Sequence, residues 1–246
     1  MKRLMFTGLL LYAAMAFLFT SCGGQKTETN NTDSTSSADT TASVAAQPPN
    51  TIITTPQNML VAVHKVANYA KWKVVYDEGD SIRLANGIHN YVIGRGLKDS
   101  NVIVVAMKID DTAKAIAFAK NPSLKKAMQK GGVMGTPSIS FITEVFQDTA
   151  NISTDLRSRT AFTVKDWDTF QKAFESGKQE RLDNGITDRV LGYDMHNNKK
   201  ISIVTAITDT AKAFAYYKSD VLKARVKASG ATTEPDRFLY RIVKRY

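Results

Sequence analysis

The run Asp111, Thr112, Ala113, Lys114, Ala115 returns at residues 209–213, 98 positions later, and the offset holds without a gap over most of the chain. At the same offset Arg83, Leu84, Asn86, Gly87 and Ile88 align with Arg181, Leu182, Asn184, Gly185 and Ile186, and Gly132 and Pro137 with Gly230 and Pro235. A register kept from the pair Val66/Val164 to the pair Val145/Val243 marks a duplicated structural unit. Whatever shape one copy takes, the other must take too.

The two copies share one order of periodicities. In the first, residues 59–66 alternate with β-branched side chains and read as a strand. Asn68 then caps a helix whose Tyr69, Trp72, Val75 and Tyr76 mark one apolar face, and Gly87 ends it. Residues 91–94 and 102–109 form a hairpin across a polar connection. Asp111 caps a second helix with Ala115, Phe118 and Ala119 turned inward, Pro122 starts a further turn to Met128, and residues 139–146 close with a fourth strand. The second copy reads as strand 159–164, helix 167–182 behind Asp166, strands 189–193 and 201–207, helix 210–227 and strand 238–244. Asn86 with Gly87, and Asn184 with Gly185, are read as helix C-caps; Asp111 and Asp209 are read as N-caps rather than catalytic acids.

Strand, helix, strand, strand, helix, strand is a split βαβ unit, a four-stranded antiparallel sheet with both helices on one face. Its other face is bare and must be covered. The cover is available in the same chain. The expected class is α+β: two tandem ferredoxin-like βαββαβ units, residues 58–148 and 149–246, packed sheet to sheet as an intrachain pseudo-dimeric α/β barrel that is monomeric as a chain.

The first residues concern location. Lys2 and Arg3, an apolar run over residues 4–19 and the small-residue exit Thr20, Ser21, Cys22 form a signal peptide, residues 1–21, too short for a spanning helix. Leu18 to Cys22 is similar to a bacterial lipobox, with Phe19 where that motif carries a smaller residue. That resemblance implies cleavage before Cys22 and acylation of its thiol and amine, so the membrane is a partner through several acyl chains. Cys22 is the only cysteine, which excludes intrachain disulfides. Gly23 after it points to the outer membrane of the cell envelope. Residues 22–57, poor in large apolar side chains, are expected to be a disordered tether. The formal net charge of +10 falls to about +8 without Lys2 and Arg3. Its lysines and arginines are scattered, and together with export this argues against nucleic acid as a partner.

The run Val63, His64, Lys65, Val66, then Tyr69, Lys71, Trp72, Ile109, Asp110, Asp111, Lys114, Ala115, Phe118, Pro122, Leu124, Gly132, Gly135, Pro137 and Phe141, resembles the dimeric α/β barrel superfamily, related to antibiotic biosynthesis monooxygenase-like domains. The resemblance spans roughly residues 60–145 and, more weakly, 160–243, and rests mostly on packing and capping positions, so it speaks to fold more than to activity. It implies paired barrels, some members acting as oxygenases without metal or flavin and some binding haem.

No histidine, cysteine or carboxylate pattern has metal-ligand spacing, and no nucleotide or serine-hydrolase motif is present. No cofactor is called for by the residues; haem stays open through the resemblance. His64 shares a strand face with Leu60 and Ala62 and is expected to point into the barrel, as a base near neutral pH, an axial ligand, or a buried imidazole bonded to a neighbour. Its counterpart in the second copy is Phe162. Tyr91 with Arg95, and Arg189 with Tyr193, share strand faces that can line a ligand pocket with apolar walls; cross-strand aromatic packing accounts equally for the tyrosines, and pairing with an acidic neighbour at the rim for Arg189. Trp72, Tyr76, Phe170 and Phe174 are assigned to core. Two functions follow: a non-enzymatic module holding a small apolar or aromatic ligand or offering its outer surface to another envelope protein, or a cofactor-independent oxygenase acting on a phenolic or polycyclic substrate, with His64 as base and Tyr91 or Arg95 orienting an oxyanion.

Overall fold

A computed structural model describes residues 50–246, and in it both copies belong to one unit. The signal peptide and Cys22 lie outside the described residues. A two-residue strand, β1 (Ile52–Ile53), precedes the first copy: β2 (Gln57–Val66), α1 (Tyr69–Glu78), α2 (Asp80–Ala85), β3 (Ile88–Gly96), β4 (Val102–Ile109), α3 (Thr112–Ala119), α4 (Pro122–Lys130) and β5 (Val133–Asp148). The second copy repeats it as β6 (Leu156–Thr163), α5 (Trp167–Ser176), α6 (Lys178–Asp183), β7 (Ile186–Asp194), β8 (Asn197–Ile207), α7 (Thr210–Lys218), α8 (Asp220–Ala228) and β9 (Asp236–Arg245). The expected tether is shorter than residues 22–57, because Ile52 and Ile53 pair with Asp148 and Gln147 and Gln57 already opens β2.

Each copy builds an antiparallel sheet in the order β5-β2-β4-β3 or β9-β6-β8-β7. Two seams join them, β3 with β9 and β5 with β7, and together they close a ring of eight strands. The expected barrel is therefore real and covalent. Its outer surface carries the helices: Leu60, Ala62, Ile93 and Val105 pack on Trp72 and Ala115 in the first copy, and Val164, Leu191, Ile201 and Ile203 pack on Phe170 in the second. A separate cluster of Met59, Val61, Val104, Ile142 and Tyr240 fills part of the inside.

The repeated residues have repeated tasks. Asp111 and Asp209 accept from the backbone N–H of Lys114 and Lys212, a cap that stabilises a helix by about 1 kcal/mol. Gly87 and Gly185 take φ of 66° and 67°, a left-handed turn that a side chain disfavours. Arg83 lies over the Tyr76 ring at 3.9 Å and donates to Asn90, while Arg181 lies over Phe174 at 3.7 Å and grips Asp188 with two bonds of 2.8 and 2.7 Å. The periodicity hides one break. The long helices expected to end at Gly87 and Leu182 are each split, at Gly79 and Gly177, where a Cβ would stand 3.1 Å from the guanidinium of Arg83 or Arg181. The helix expected over 210–227 is likewise two, because Ser219 turns extended and caps α8 through Leu222, as Asn121 caps α4.

Candidate functional site

A strand with a regular pleat sends residues 91, 93 and 95 to one side. Here β3 carries a bulge between Asn90 and Val92, and β7 carries its equivalent between Asp188 and Val190. The extra residues are Tyr91 and Arg189, 98 positions apart, and both turn into the barrel. After the bulge the alternation is reversed. Arg95 therefore faces outward, its guanidinium 4.3 Å from the Tyr69 ring and its Nε donating to the Ser100 carbonyl at 2.7 Å. Tyr193 also faces the helices, edge-on to Trp167 at 4.8 Å. Tyr91 and Arg95 do not share a pocket, nor do Arg189 and Tyr193. Tyr91 and Arg189 do.

His64 is corrected in the same way. The face it shares with Leu60 and Ala62 is the helix-covered one, and its ring lies 5.5 Å from Trp72. Met59 and Val61 are the residues of β2 that enter the barrel. Both faces of this sheet are buried, so apolar alternation could not tell one from the other. His64 ends in a cavity of about 140 Å³ between sheet and helices, walled by side chains such as Leu60, Val105, Met107, Phe118, Leu124 and Ile139. It is 7% exposed, and neither ring nitrogen has a hydrogen-bond partner among the described residues. Burial lowers its pKa to about 4, so the imidazole is neutral at physiological pH. In the second copy Phe162 occupies the position and packs edge-on against Phe170 at 5.7 Å. Trp72 and Tyr76 are stacked at 4.9 Å, and Phe170 and Phe174 lie 5.8 Å apart, matching core aromatics as expected.

A second cavity, of about 150 Å³, lies inside the barrel. Tyr91 and Arg189 border it, and so do five groups that sequence reading missed: Glu144, Gln147, Arg157, Arg159 and Tyr240. Gln147 donates to the Tyr91 hydroxyl at 3.0 Å. Arg189 donates to Asp148 at 2.9 Å and to the Ala150 carbonyl at 2.6 Å. Burial pushes Glu144 up to about 7, with Lys108 pulling the other way. A signal was available in the offset: Arg157 and Arg159 stand where the first copy has Met59 and Val61.

Two ferredoxin-like sheets closed face to face with helices outside define a fold, the dimeric α/β barrel, here made by one chain. The sequence matches no family model and no curated protein. Among solved structures, the chain is similar to an anthrone oxidase-like protein, with a TM-score of 0.54 at 15% identity over 78% of this chain and 94% of that one. It is also similar to a protein from Fusobacterium nucleatum described as a candidate monooxygenase, with a TM-score of 0.52 at 13% identity over 77% and 93% of the two chains. At these identities the likeness is one of fold.

The cavity at His64 also bears on haem. Drug-sized ligands fill roughly 300–1,000 Å³, and the cavity offers about 140 Å³. A porphyrin does not fit it, and neither does a polycyclic substrate.

Proposed function

We propose that this protein is a small-molecule-binding module whose first copy takes a compact aromatic molecule between sheet and helices, hydrogen-bonded to His64. The observation that carries this reading is the buried imidazole with two unpartnered nitrogens in an otherwise apolar cavity. An unmet buried polar group costs about 1–3 kcal/mol, and a ligand bearing one hydroxyl or N–H relieves it. An apolar cavity of about 150 Å³ holds one benzene-sized ring, which sets the size class. The oxygenase reading is weaker on two counts. A base held at a pKa of about 4 is a poor proton acceptor near neutral pH. Of its supposed oxyanion partners, Tyr91 lies on the opposite face of the sheet, and Arg95, on the helix-covered face, is already engaged by the Tyr69 ring and the Ser100 carbonyl.

On this reading the module sits at the cell envelope, with Cys22 acylated and residues 23–51 joining it to the barrel. The positive n-region, apolar run and lone cysteine support this.

Calorimetric titration with phenol and aniline tests the ligand reading. Binding is expected in the unaltered protein and absent in His64→Phe, which copies the second half; equal binding in both would refute the reading. Fractionation of cells carrying Cys22→Ala tests the anchor, with release from membranes expected and unchanged membrane association counting against it.

A further inference from the structure

The barrel interior is asymmetric in a way that its architecture does not require. At matching inward positions the first copy places Met59, Val61 and Val104, the second Arg157, Arg159 and Ser202. At these three points the first copy is an internal control: it closes the barrel with apolar side chains, its polar Tyr91, Glu144 and Gln147 entering from β3 and β5. Arginines at the equivalent points therefore serve something other than closure. Buried guanidinium groups are costly without an anion.

No carboxylate among the described residues forms an ion pair with Arg157 or Arg159, although the charges of Asp155 and Asp236 reach them. Asp148 is taken by Arg189. Arg157, 2% exposed, donates through Nη1 to the carbonyls of Thr154 and Leu156, and the Nε of Arg159 has no partner. Oε2 of Glu144 and Oε1 of Gln147, both more than nine-tenths buried, are also unpartnered. Burial holds Arg157 down to about 10, and the charges of Arg245 and Arg189 push the same way. The Arg157 guanidinium thus feels the charge of Arg189 across the cavity.

We infer that the barrel interior binds a compact organic carboxylate, its charged end held by Arg157, Arg159 and Arg189 and its apolar body against Val61, Val104 and Ile142. Guanidinium groups grip carboxylates by paired N–H bonds. Part of the opposite wall, Val61, Val104 and Ile142 of the first copy, is apolar, which favours an organic anion over phosphate or sulfate. Space of about 150 Å³ is about five water volumes, so the body is one ring or a short chain. Glu144, pushed up to about 7, is largely protonated below neutrality and adds a donor rather than a competing charge. This site lies on the opposite face of the sheet from His64 and does not depend on the reading given for that pocket.

The test is thermal unfolding of the full chain in concentration series of benzoate, butyrate, phosphate and sulfate. Benzoate or butyrate is expected to raise Tm by about 5–10 °C at a hundredfold excess over its dissociation constant. The rise should persist in His64→Phe and disappear in Arg159→Met, a change that removes no hydrogen bond and keeps the apolar stem. Arg157→Met serves as a second variant should Arg159→Met fold poorly. No rise with either carboxylate, a rise that survives both arginine variants, or an equal rise with phosphate or sulfate would each overturn the inference.

Discussion

Gly192→Ala is expected to destabilise the protein by about 3 kcal/mol, the upper end of ordinary overpacking, and to lower Tm by about 10 °C. Gly192 sits on β7 opposite Glu144 of β5, in one of the two seams that join the copies. A Cβ there would overlap the Thr143 carbonyl oxygen and lie 3.0 Å from the Glu144 Cα. Both obstacles are backbone, so relief requires parting the strands. Gly94, its counterpart 98 residues earlier, faces Ile242 across the other seam, but a Cβ there meets the Tyr240 ring and, at 2.8 Å, a methyl of Val104. Side chains can be trimmed. Gly94→Ala should therefore recover part of its loss when combined with Tyr240→Leu, while Gly192→Ala should have no such partner. Thermal unfolding followed by circular dichroism reads both. A change at Gly192 of less than 1 kcal/mol would mean that the seam is not closed as described.

That glycine also shows where sequence reading stops. The 98-residue register predicts two copies, the strand and helix order of each and the need for two bare sheets to meet, because these follow from period and capping. Which face of each sheet meets the helices does not follow, since Leu60, Ala62 and His64 are as buried as Met59 and Val61. His64 was placed on the right strand face and the wrong side of the sheet. The bulges at Tyr91 and Arg189 add one residue each and reverse the faces beyond them, which leaves Arg95 and Tyr193 outside the barrel. Nothing in the composition of 88–96 announces an extra residue. The arginines of β6 were legible in principle, as charge at alternating strand positions matched by apolar residues in the other copy, but only once the copies are compared position by position.

Two buried titrating groups on opposite sides of the sheet are expected to oppose one another in the pH dependence of stability. His64 holds a pKa of about 4 in the folded chain against 6.5 ordinarily, so between those values the unfolded chain binds more protons and acidification destabilises. The loss begins below 6.5 and is complete, at about 3 kcal/mol, below 4. Glu144 is raised from 4.5 to about 7, so the folded chain keeps a proton the unfolded chain has shed, and stability falls by about 3 kcal/mol as pH rises through that window. From pH 4.5 to 6.5 the two slopes, each about 1.4 kcal/mol per pH unit, have opposite signs and nearly cancel. Single substitutions should uncover them. His64→Phe is expected to grow less stable as pH rises across this window, and Glu144→Gln less stable as pH falls, each relative to the unaltered chain. The double variant should return to the near-level behaviour, since the two side chains share no partner and their effects add. Denaturant midpoints at pH 4.5, 5.5 and 6.5 for the four proteins decide it, because every other carboxylate contributes the same background to all four. Four parallel curves would show that neither group is held in its neutral form, and the chemistry assigned to both cavities would lose its electrostatic basis.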